Sequence, residues 1–275
     1  MPVAGPCVIV ADLADPRLDA YRLIGEPAAL LAQGLFVAEG RLVVDRLVGG
    51  RRYRLHSLLL TETAATAMTA TLAALDRTTP AFIVPQAVMN GVVGFNIHRG
   101  CLGLAARPVP TTLDALAWAA LDRVVVAEGV NNPDNIGGLF RNAAALGAGA
   151  VVLGPGCGDP LYRKAIRTSM AATLGLSWVA TADWPGALDR MRAEGLSVVA
   201  CTPDADAASL YEVVLPARAA VLVGAEGDGL SQAARAHADL TVRIPMHGEM
   251  DSLNVATAAA IVLSALTARR ATPAE

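Results

Sequence analysis

The sequence predicts an α/β protein of two domains, with a parallel sheet in the larger C-terminal domain. From residue 107 onward, apolar segments alternate with helix-like segments, an order typical of parallel strands covered by helices on both faces. The chain has 275 residues, which is enough for two cores of ordinary size. No run of about 18 apolar residues lacks a charge, glycine or proline, so no membrane-spanning helix is predicted.

Residues 1–106 are predicted to form a small α/β domain of their own. Apolar segments typical of strands lie at 35–40, 58–62, 81–85 and 102–108, with an amphipathic segment at 41–48 and a helix over 63–76. The following segment, 107–120, carries two prolines and no strand pattern. It is therefore interpreted as a linker to a second domain at 121–275.

The second domain is predicted element by element from its apolar runs. Strands are expected at 123–130, 150–155, 196–203, 219–224 and 240–245, with helices after Pro133 and over 160–174. The last element, from Ser252 to about Ala268, reads as a buried helix for which Asp251 or Ser252 is a plausible N-cap.

Composition excludes several classes of protein. The four cysteines form no C-x-x-C, and no two histidines have the i, i+4 spacing of a metal pair, so neither a disulfide framework nor a metal site is predicted. The N-terminus lacks the basic start of a secretory signal, and a cytoplasmic protein is expected. A net charge of −3 limits any nucleic-acid contact to a local basic patch.

Three segments of the second half carry polar residues where ligands often bind. In the first, NNPDNIGGLFRNAAALG at 131–147, a turn enters a helix, and Asn135 and Arg141 are expected to face one pocket. The plainer alternative makes Asn135 the N-cap and places Arg141 on a solvated face.

The second segment, VLVGAEGDGLS at 221–231, is a strand that ends in a glycine-rich loop containing Glu226. Its G-x-x-G-x-G spacing differs from the G-x-G-x-x-G of dinucleotide-binding proteins, which disfavours a nucleotide-dependent oxidoreductase. The loop either admits a ligand against bare backbone or is an ordinary turn. The third segment, IPMHGEMDSLNVATAAAIVL at 244–263, opens an apolar helix with Ser252 and Asn254, which serve either as caps or as ligand contacts.

Taken together, these segments resemble the three motifs of the SpoU class of SPOUT RNA 2′-O-ribose methyltransferases. The matches are N-x-x-x-x-x-R from Asn135, G-x-E-G-x-G from Gly224, and I-P-M followed by S-L-N from Ile244. The first domain is similar to the small RNA-binding α/β domain that precedes the catalytic domain in many members. The resemblance implies methyl transfer from S-adenosylmethionine to a ribose 2′-hydroxyl, in ribosomal RNA rather than transfer RNA.

The resemblance also implies a trefoil knot in the C-terminal sheet, a homodimer, and a role for each matching residue. The implied catalytic group is Asn135, Arg141, Glu226, Ser252 and Asn254. The implied S-adenosylmethionine contacts are Gly224, Ile244, Met246, Leu253 and Thr202, and a side chain at Gly224 is expected to occupy the cofactor's space. Three positions depart from the family pattern: Asn142 replaces a common Thr, Ala256 a common Ser, and Ala171 a usual Gly.

The family's proposed base is the arginine here numbered Arg141, but a guanidinium is a poor proton acceptor. Arg141 is therefore expected to clamp a phosphate and stabilise the developing alkoxide. RNA outside the site is expected to contact an arginine cluster in the first domain: Arg46, Arg51, Arg52 and Arg54. Two alternatives remain open, a transfer-RNA 2′-O-methyltransferase and a catalytically silent knotted RNA-binding protein.

Overall fold

The computed structural model describes residues 7–97, 99–248 and 250–268, and they form two compact units. The first unit takes the chain up to Val109 together with Leu161–Gly175. The second takes Pro110–Pro160 and the chain from Leu176 onward. The ends of the predicted domains at 1–6 and 269–275, together with His98 and Glu249, lie outside the described residues.

The strands of the described chain are short and mostly buried. In chain order they are β1 Cys7–Ile9, β2 Leu35–Glu39, β3 Leu55–Thr61, β4 Ala81–Val84, β5 Cys101–Ala106, β6 Arg123–Ala127, β7 Ala150–Leu153, β8 Ser177–Ala180, β9 Ser197–Cys201, β10 Ala208–Ser209, β11 Ala219–Val223 and β12 Leu240–Arg243.

The helices are numbered in the same way. They are α1 Asp19–Arg22, α2 Pro27–Ala32, α3 Arg41–Gly50, α4 Glu62–Ala67, α5 Thr69–Ala73, α6 Gln86–Val93, α7 Pro133–Ala145, α8 Arg163–Thr168, α9 Ala172–Gly175, α10 Gly186–Ala193, α11 Gln232–Ala236 and α12 Val255–Ala268. Short 3-10 turns lie at Pro16–Leu18, Leu23–Gly25, Leu113–Ala115 and Trp118–Ala120.

The first unit is built on a mixed sheet with the strand order β1-β4-β3-β5-β2. β5 runs antiparallel to both of its neighbours, and the remaining pairs are parallel. Its core includes the fully buried Tyr21, Leu59 and Leu102. The first half of the chain is therefore an α/β unit, and its strands β2 to β5 fall where the apolar runs predict them.

The segment Leu161–Gly175 is joined to the first unit by specific bonds. Arg163 on α8 donates to Glu39 Oε2 at 2.6 Å, and Arg52 donates to the carbonyl oxygen of Gly175 at 3.2 Å. Arg46 donates to the carbonyl oxygen of Met170. These side chains bind a segment of the chain that belongs to the first unit, although the residues before it, up to Pro160, and after it, from Leu176, belong to the second unit.

The second unit is built on a fully parallel sheet with the order β10-β12-β9-β11-β6-β7-β8. All residues of β6, β7 and β11 are buried, as in a sheet covered on both faces. Alternate residues such as Val124 and Val126 pack with Leu188 and Met191 of α10. The sequence prediction of a parallel α/β sheet is confirmed; the trefoil knot stays a prediction.

The segment interpreted as a linker is packed rather than extended from Leu113 onward. Trp118 is buried and joins the core of the second unit together with Leu121. The Trp118 indole nitrogen donates to the carbonyl oxygen of Leu113 at 3.0 Å. The prolines that suggested a linker lie before this packed part of the segment.

Three helices differ from their predicted form. The helix predicted over 63–76 is divided at Met68 into α4 and α5. The helix predicted over 160–174 is two short helices, because Met170 and Ala171 between them have left-handed backbone angles, with φ of 52° and 66°. The last helix begins at Val255 rather than Ser252. Its N-cap is neither Asp251 nor Ser252 but Asn254, whose Oδ1 accepts hydrogen bonds from the backbone nitrogens of Ala256 and Thr257 at 3.0 and 3.3 Å.

Three short strands, β1, β8 and β10, were not predicted from the sequence; each is a partly exposed strand at the edge of its sheet. Within the described part of the chain, no helix is long and apolar enough to cross a membrane.

Candidate functional site

A cleft opens at the carboxyl edge of the parallel sheet in the second unit. It is formed by the segments that follow β9, β11 and β12, three strands that are neighbours in the sheet. Its volume of about 540 Å³ is typical of a site for a small organic ligand. Parallel sheets commonly bind ligands at this edge, because all their strands end there together. We call it the carboxyl-edge cleft.

All the residues that the resemblance assigned to the cofactor line this cleft. They are Thr202 after β9, Gly224 after β11, Ile244 and Met246 after β12, and Leu253 before α12. Ile244 is buried and Leu253 is partly exposed, so the cleft has apolar surface as well as backbone. The lining is chemically suited to a ligand with both an apolar and a hydrogen-bonding part.

The glycine loop after β11 folds back on itself. Gly229 N–H donates to the carbonyl oxygen of Ala225 at 3.1 Å, and Gly227 and Gly229 have positive φ of 93° and 67°. A Cβ atom on Gly224 would lie 2.3 Å from the carbonyl carbon of Gly229 and 2.5 Å from Leu230 N. The expectation that a side chain there fills cofactor space is therefore wrong, since it would first collide with the loop's own backbone.

Asn254 joins three parts of the site. Its amide nitrogen donates to Asn135 Oδ1 at 2.8 Å and to Glu226 Oε1 at 3.1 Å, while its amide oxygen caps α12. Only this orientation of the amide places its NH₂ group toward two oxygen acceptors. Asn254 thus links the first, second and third sequence motifs in one hydrogen-bond network.

Asn135 lies inside α7 and is buried, so the alternative that makes it the N-cap is wrong. The N-cap is Asn132, whose side chain accepts from Asp134 N at 2.8 Å. The side chain of Asn135 is therefore available to accept from Asn254. Asn135 does not line the carboxyl-edge cleft and is connected to it through Asn254, which does.

Arg141 is exposed and does not line the cleft. Six residues along an α-helix advance about 9 Å and turn through about 240°, which directs Arg141 and Asn135 to different sides of α7. The expectation that these two residues face one pocket of the chain is therefore wrong, and Arg141 lies on a solvated face. Within the described chain, the guanidinium of Arg141 has no hydrogen-bond or ion-pair partner. Ser252, the other residue implied to be catalytic, is exposed and lines the cleft.

Two residues near the site were not singled out in the sequence. Cys201 lines the cleft, and burial raises the pKa of its thiol to about 11. Glu128, just after β6, accepts hydrogen bonds from Trp184 and Ser231. Nothing local marks either one: Cys201 belongs to an apolar strand, and the partners of Glu128 are distant in sequence.

The first unit contains a separate cleft of about 870 Å³, here called the basic cleft. Its lining includes Arg51, Arg54, His56, Asp76, Arg77 and Thr78. Arg51, Arg54 and Arg77 are exposed, and none has an ion-pair or hydrogen-bond partner for its guanidinium within the described chain. Arg77 was not predicted, because it lies far along the chain from the cluster at 46–54.

Among residues 7–97, 99–248 and 250–268, the structure shows no group of three His, Cys, Asp or Glu side chains that could hold a metal ion.

The parallel sheet and the cleft at its carboxyl edge define an α/β protein with a site for a small organic ligand. A family model described as the SpoU rRNA Methylase family matches residues 122–264, which include the whole lining of the cleft. The chain belongs to this family.

Individual relatives agree with that assignment. The chain is 42% identical over 259 residues to an uncharacterised tRNA/rRNA methyltransferase of Mycobacterium bovis, covering 92% of this chain and 88% of the relative. It is 34% identical over 180 residues to a 23S rRNA (guanosine-2′-O-)-methyltransferase of Xanthomonas campestris pv. campestris, covering 64% of this chain and 72% of the relative. A solved RNA 2′-O ribose methyltransferase matches with a TM-score of 0.80 and 28% identity, covering 96% of this chain and all of that one.

Proposed function

We propose that this chain transfers a methyl group from S-adenosylmethionine to a ribose 2′-hydroxyl of RNA, and of ribosomal RNA in particular. The observation that carries the proposal is the network in which Asn254 joins Asn135 and Glu226 beside the carboxyl-edge cleft. Relatives named as tRNA/rRNA and 23S rRNA 2′-O-methyltransferases support the reaction and the substrate.

S-adenosylmethionine fits the carboxyl-edge cleft by size and by chemistry. Thr202, Ile244 and Leu253 offer polar and apolar surface, and the glycine loop offers backbone at Gly227 and Gly229, where a Cβ atom would meet no neighbouring atom within 4 Å. Gly224 contributes by allowing the loop to fold tightly, and Met246 lies beside Ile244. When bound, the cofactor supplies an electrophilic methyl group on a positively charged sulfur.

The chain itself must align the ribose and accept or relay its hydroxyl proton. Asn254 and Asn135 hold each other in one orientation, and Glu226 fixes the glycine loop to the start of α12 through the same amide. Ser252 is exposed and lines the cleft, so its hydroxyl is accessible to a ribose bound there. These groups orient the substrate hydroxyl toward the methyl group.

Arg141 clamps an RNA phosphate outside the carboxyl-edge cleft, which it does not line. Its exposed guanidinium has no hydrogen-bond or ion-pair partner within the described residues, so it is available to bind an RNA phosphate. The planar guanidinium can hold a phosphate through two hydrogen bonds. Arg141→Lys is expected to keep part of the activity and Arg141→Ala to lose most of it, and full activity in the Ala variant would remove Arg141 from the mechanism.

RNA is captured by the first unit through the basic cleft. The predicted cluster divides into two pairs: Arg46 and Arg52 bond to backbone carbonyls of the same unit, while Arg51 and Arg54 line the cleft beside Arg77. Three guanidinium groups that have no partner among the described residues suit contacts to phosphates. Arg54→Ala with Arg77→Ala should weaken RNA binding and make it less dependent on salt, whereas unchanged binding at every salt concentration would contradict this placement.

The division of labour between the units follows from these sites. Residues 1–106 carry the RNA contacts and residues 121–275 the chemistry, joined through 107–120, with the segment 161–175 packed against the first unit. A fragment of residues 107–275 would lack Glu39, the ion-pair partner of Arg163, and β2, the strand against which α8 packs. Point variants are therefore the sharper test of the division.

The active form is a homodimer that works in the cytoplasm, where its RNA substrate is available. Met250 and Leu253, two apolar side chains in the loop that lines the cleft, are 68% and 38% exposed. A second copy would cover them and enclose the site. Sedimentation analysis should show a dimer for the natural chain and a monomer for Met250→Glu, and a monomeric natural chain would contradict the proposal.

The decisive experiment measures binding and transfer together. Calorimetry should show binding of S-adenosylmethionine and none of NAD, and labelled cofactor should place a methyl group on ribosomal RNA at a ribose 2′-oxygen. Binding without transfer to ribosomal or transfer RNA would favour the catalytically silent RNA-binding protein. Absence of cofactor binding would overturn the proposal.

A further inference from the structure

The glycine loop of the carboxyl-edge cleft is held at both ends by one residue outside the cleft. Glu128 follows β6, and its backbone N–H donates to the carbonyl oxygen of Val223, the residue before the loop, at 3.0 Å. Its carboxylate accepts from the residue after the loop: Oε2 from Ser231 N at 2.8 Å and Oε1 from Ser231 Oγ at 2.7 Å. Residues 224–230 therefore span two attachment points on Glu128.

The second attachment point is itself held by further hydrogen bonds. Ser231 is the N-cap of α11, and its Oγ also accepts from Ala234 N at 3.1 Å. The same carboxylate oxygen that binds the Ser231 hydroxyl accepts from the indole nitrogen of Trp184 at 2.6 Å. The Trp184 ring packs closely on the backbone of Gly154 at the end of β7: a Cβ atom there would lie 3.0 Å from it.

Glu128 does not line the cleft, whereas the loop that it holds contributes Gly224, Glu226, Gly227 and Gly229 to the lining. A loop rich in glycine has many alternative backbone conformations, so its geometry depends on how its ends are held. Charge-assisted hydrogen bonds to backbone and hydroxyl donors are among the stronger constraints available.

We propose that Glu128 is a positioning residue, which fixes the glycine loop in the conformation that binds S-adenosylmethionine. The inference rests on the proposed function for the identity of the ligand. Glu128 contacts neither cofactor nor RNA and acts through Ser231. Its loss is expected to weaken cofactor binding more than it slows the methyl transfer of the bound complex.

Glu128→Gln is the informative variant. The amide keeps one oxygen for Trp184 and the Ser231 hydroxyl, but its NH₂ group replaces the oxygen that accepts from Ser231 N, and two donors then face each other. We expect the Kd for S-adenosylmethionine and its KM to rise about tenfold, the effect of one lost hydrogen bond of ordinary strength, while kcat changes by less than about threefold.

Trp184→Phe is the matched control, because it removes a donor to the same carboxylate and leaves both bonds to Ser231 in place. It should lower the thermal midpoint by as much as Glu128→Gln or more, with little change in the Kd for the cofactor. All variants are compared in the full-length chain by calorimetry and by steady-state transfer, at a fixed interval below each variant's own midpoint.

The outcomes separate the two ideas. An unchanged Kd in Glu128→Gln, or an equal rise in both variants for an equal loss of thermal stability, would reduce Glu128 to a structural residue and overturn the inference alone. A natural chain that fails to bind S-adenosylmethionine would overturn the proposed function, and the inference with it.

Discussion

Asn254 has two functions that substitution can separate. Its amide oxygen caps α12, and its amide nitrogen donates to Asn135 and Glu226. Loss of an N-cap costs about 1 kcal/mol. Loss of the donor to the buried oxygen of Asn135 costs about another 1 kcal/mol. The bond to Glu226 is exposed and adds little to stability.

Asn254→Ala should therefore destabilise the protein by about 2 kcal/mol, which for a unit of this size lowers the thermal midpoint by roughly 4–8 °C. Asn254→Ser keeps an oxygen that can cap the helix and loses the amide donors, so its stability loss should be about half as large. Both variants should lose methyl-transfer activity by about a hundredfold, the effect that misplacing groups by about 1 Å can have on a reaction that depends on alignment.

The assay compares kcat for transfer to RNA with the midpoint from thermal unfolding. Thr61→Ala is the matched control: it removes the N-cap of α4 in the first unit and should lower the midpoint with little effect on kcat. If Asn254→Ser recovered most of the natural activity along with its stability, the cap would be the whole function of Asn254, and the reasoning about the network would be refuted.

Three further predictions follow from buried or strained groups. Arg123 is buried and donates to the carbonyl oxygen of Leu146 and to Thr267 at 3.1 and 3.0 Å. Arg123→Met should therefore lower the free energy of unfolding, measured in urea, by about 3 kcal/mol. Arg190 is exposed, so Arg190→Met should lower it by less than about 1 kcal/mol. Equal losses would contradict the role assigned to Arg123. Burial raises the pKa of the Cys201 thiol from 9.0 to about 11, so between these pH values the folded state keeps a proton that the unfolded chain releases. The resulting stabilisation of the folded state is complete below pH 9 and is lost as the pH rises through 11. Cys201→Ala should lose less stability over that interval, and parallel pH profiles would exclude the effect. Arg51 has a left-handed φ of 47° after α3, so Arg51→Gly should raise stability by about 1 kcal/mol while weakening RNA binding, and tighter binding would argue against the basic cleft.

Many strands and motifs of this protein could be predicted from local sequence patterns. The strands β6, β7, β9, β11 and β12 follow apolar runs, and the glycine loop and the polar start of α12 are visible as motifs. Membership of the SpoU family was predicted from those motifs, and the family model confirms it. Apolar periodicity and glycine placement report on backbone conformation within a few residues, which is why these features could be predicted.

The pairing of distant groups was decided only by the tertiary structure. Asn254 meets Asn135 across 119 positions of the chain, because α12 packs on α7 and the strands before these helices, β12 and β6, belong to one sheet in the order β12-β9-β11-β6. Tertiary structure likewise decided three other features. Leu161–Gly175 belongs to the first unit, Arg77 lines the same cleft as Arg51, and the carboxylate of Glu128 accepts from Ser231 N. Strand order and hydrogen-bond partners depend on how every buried polar group and apolar face in the chain is satisfied at once, and no local segment of the sequence contains that information.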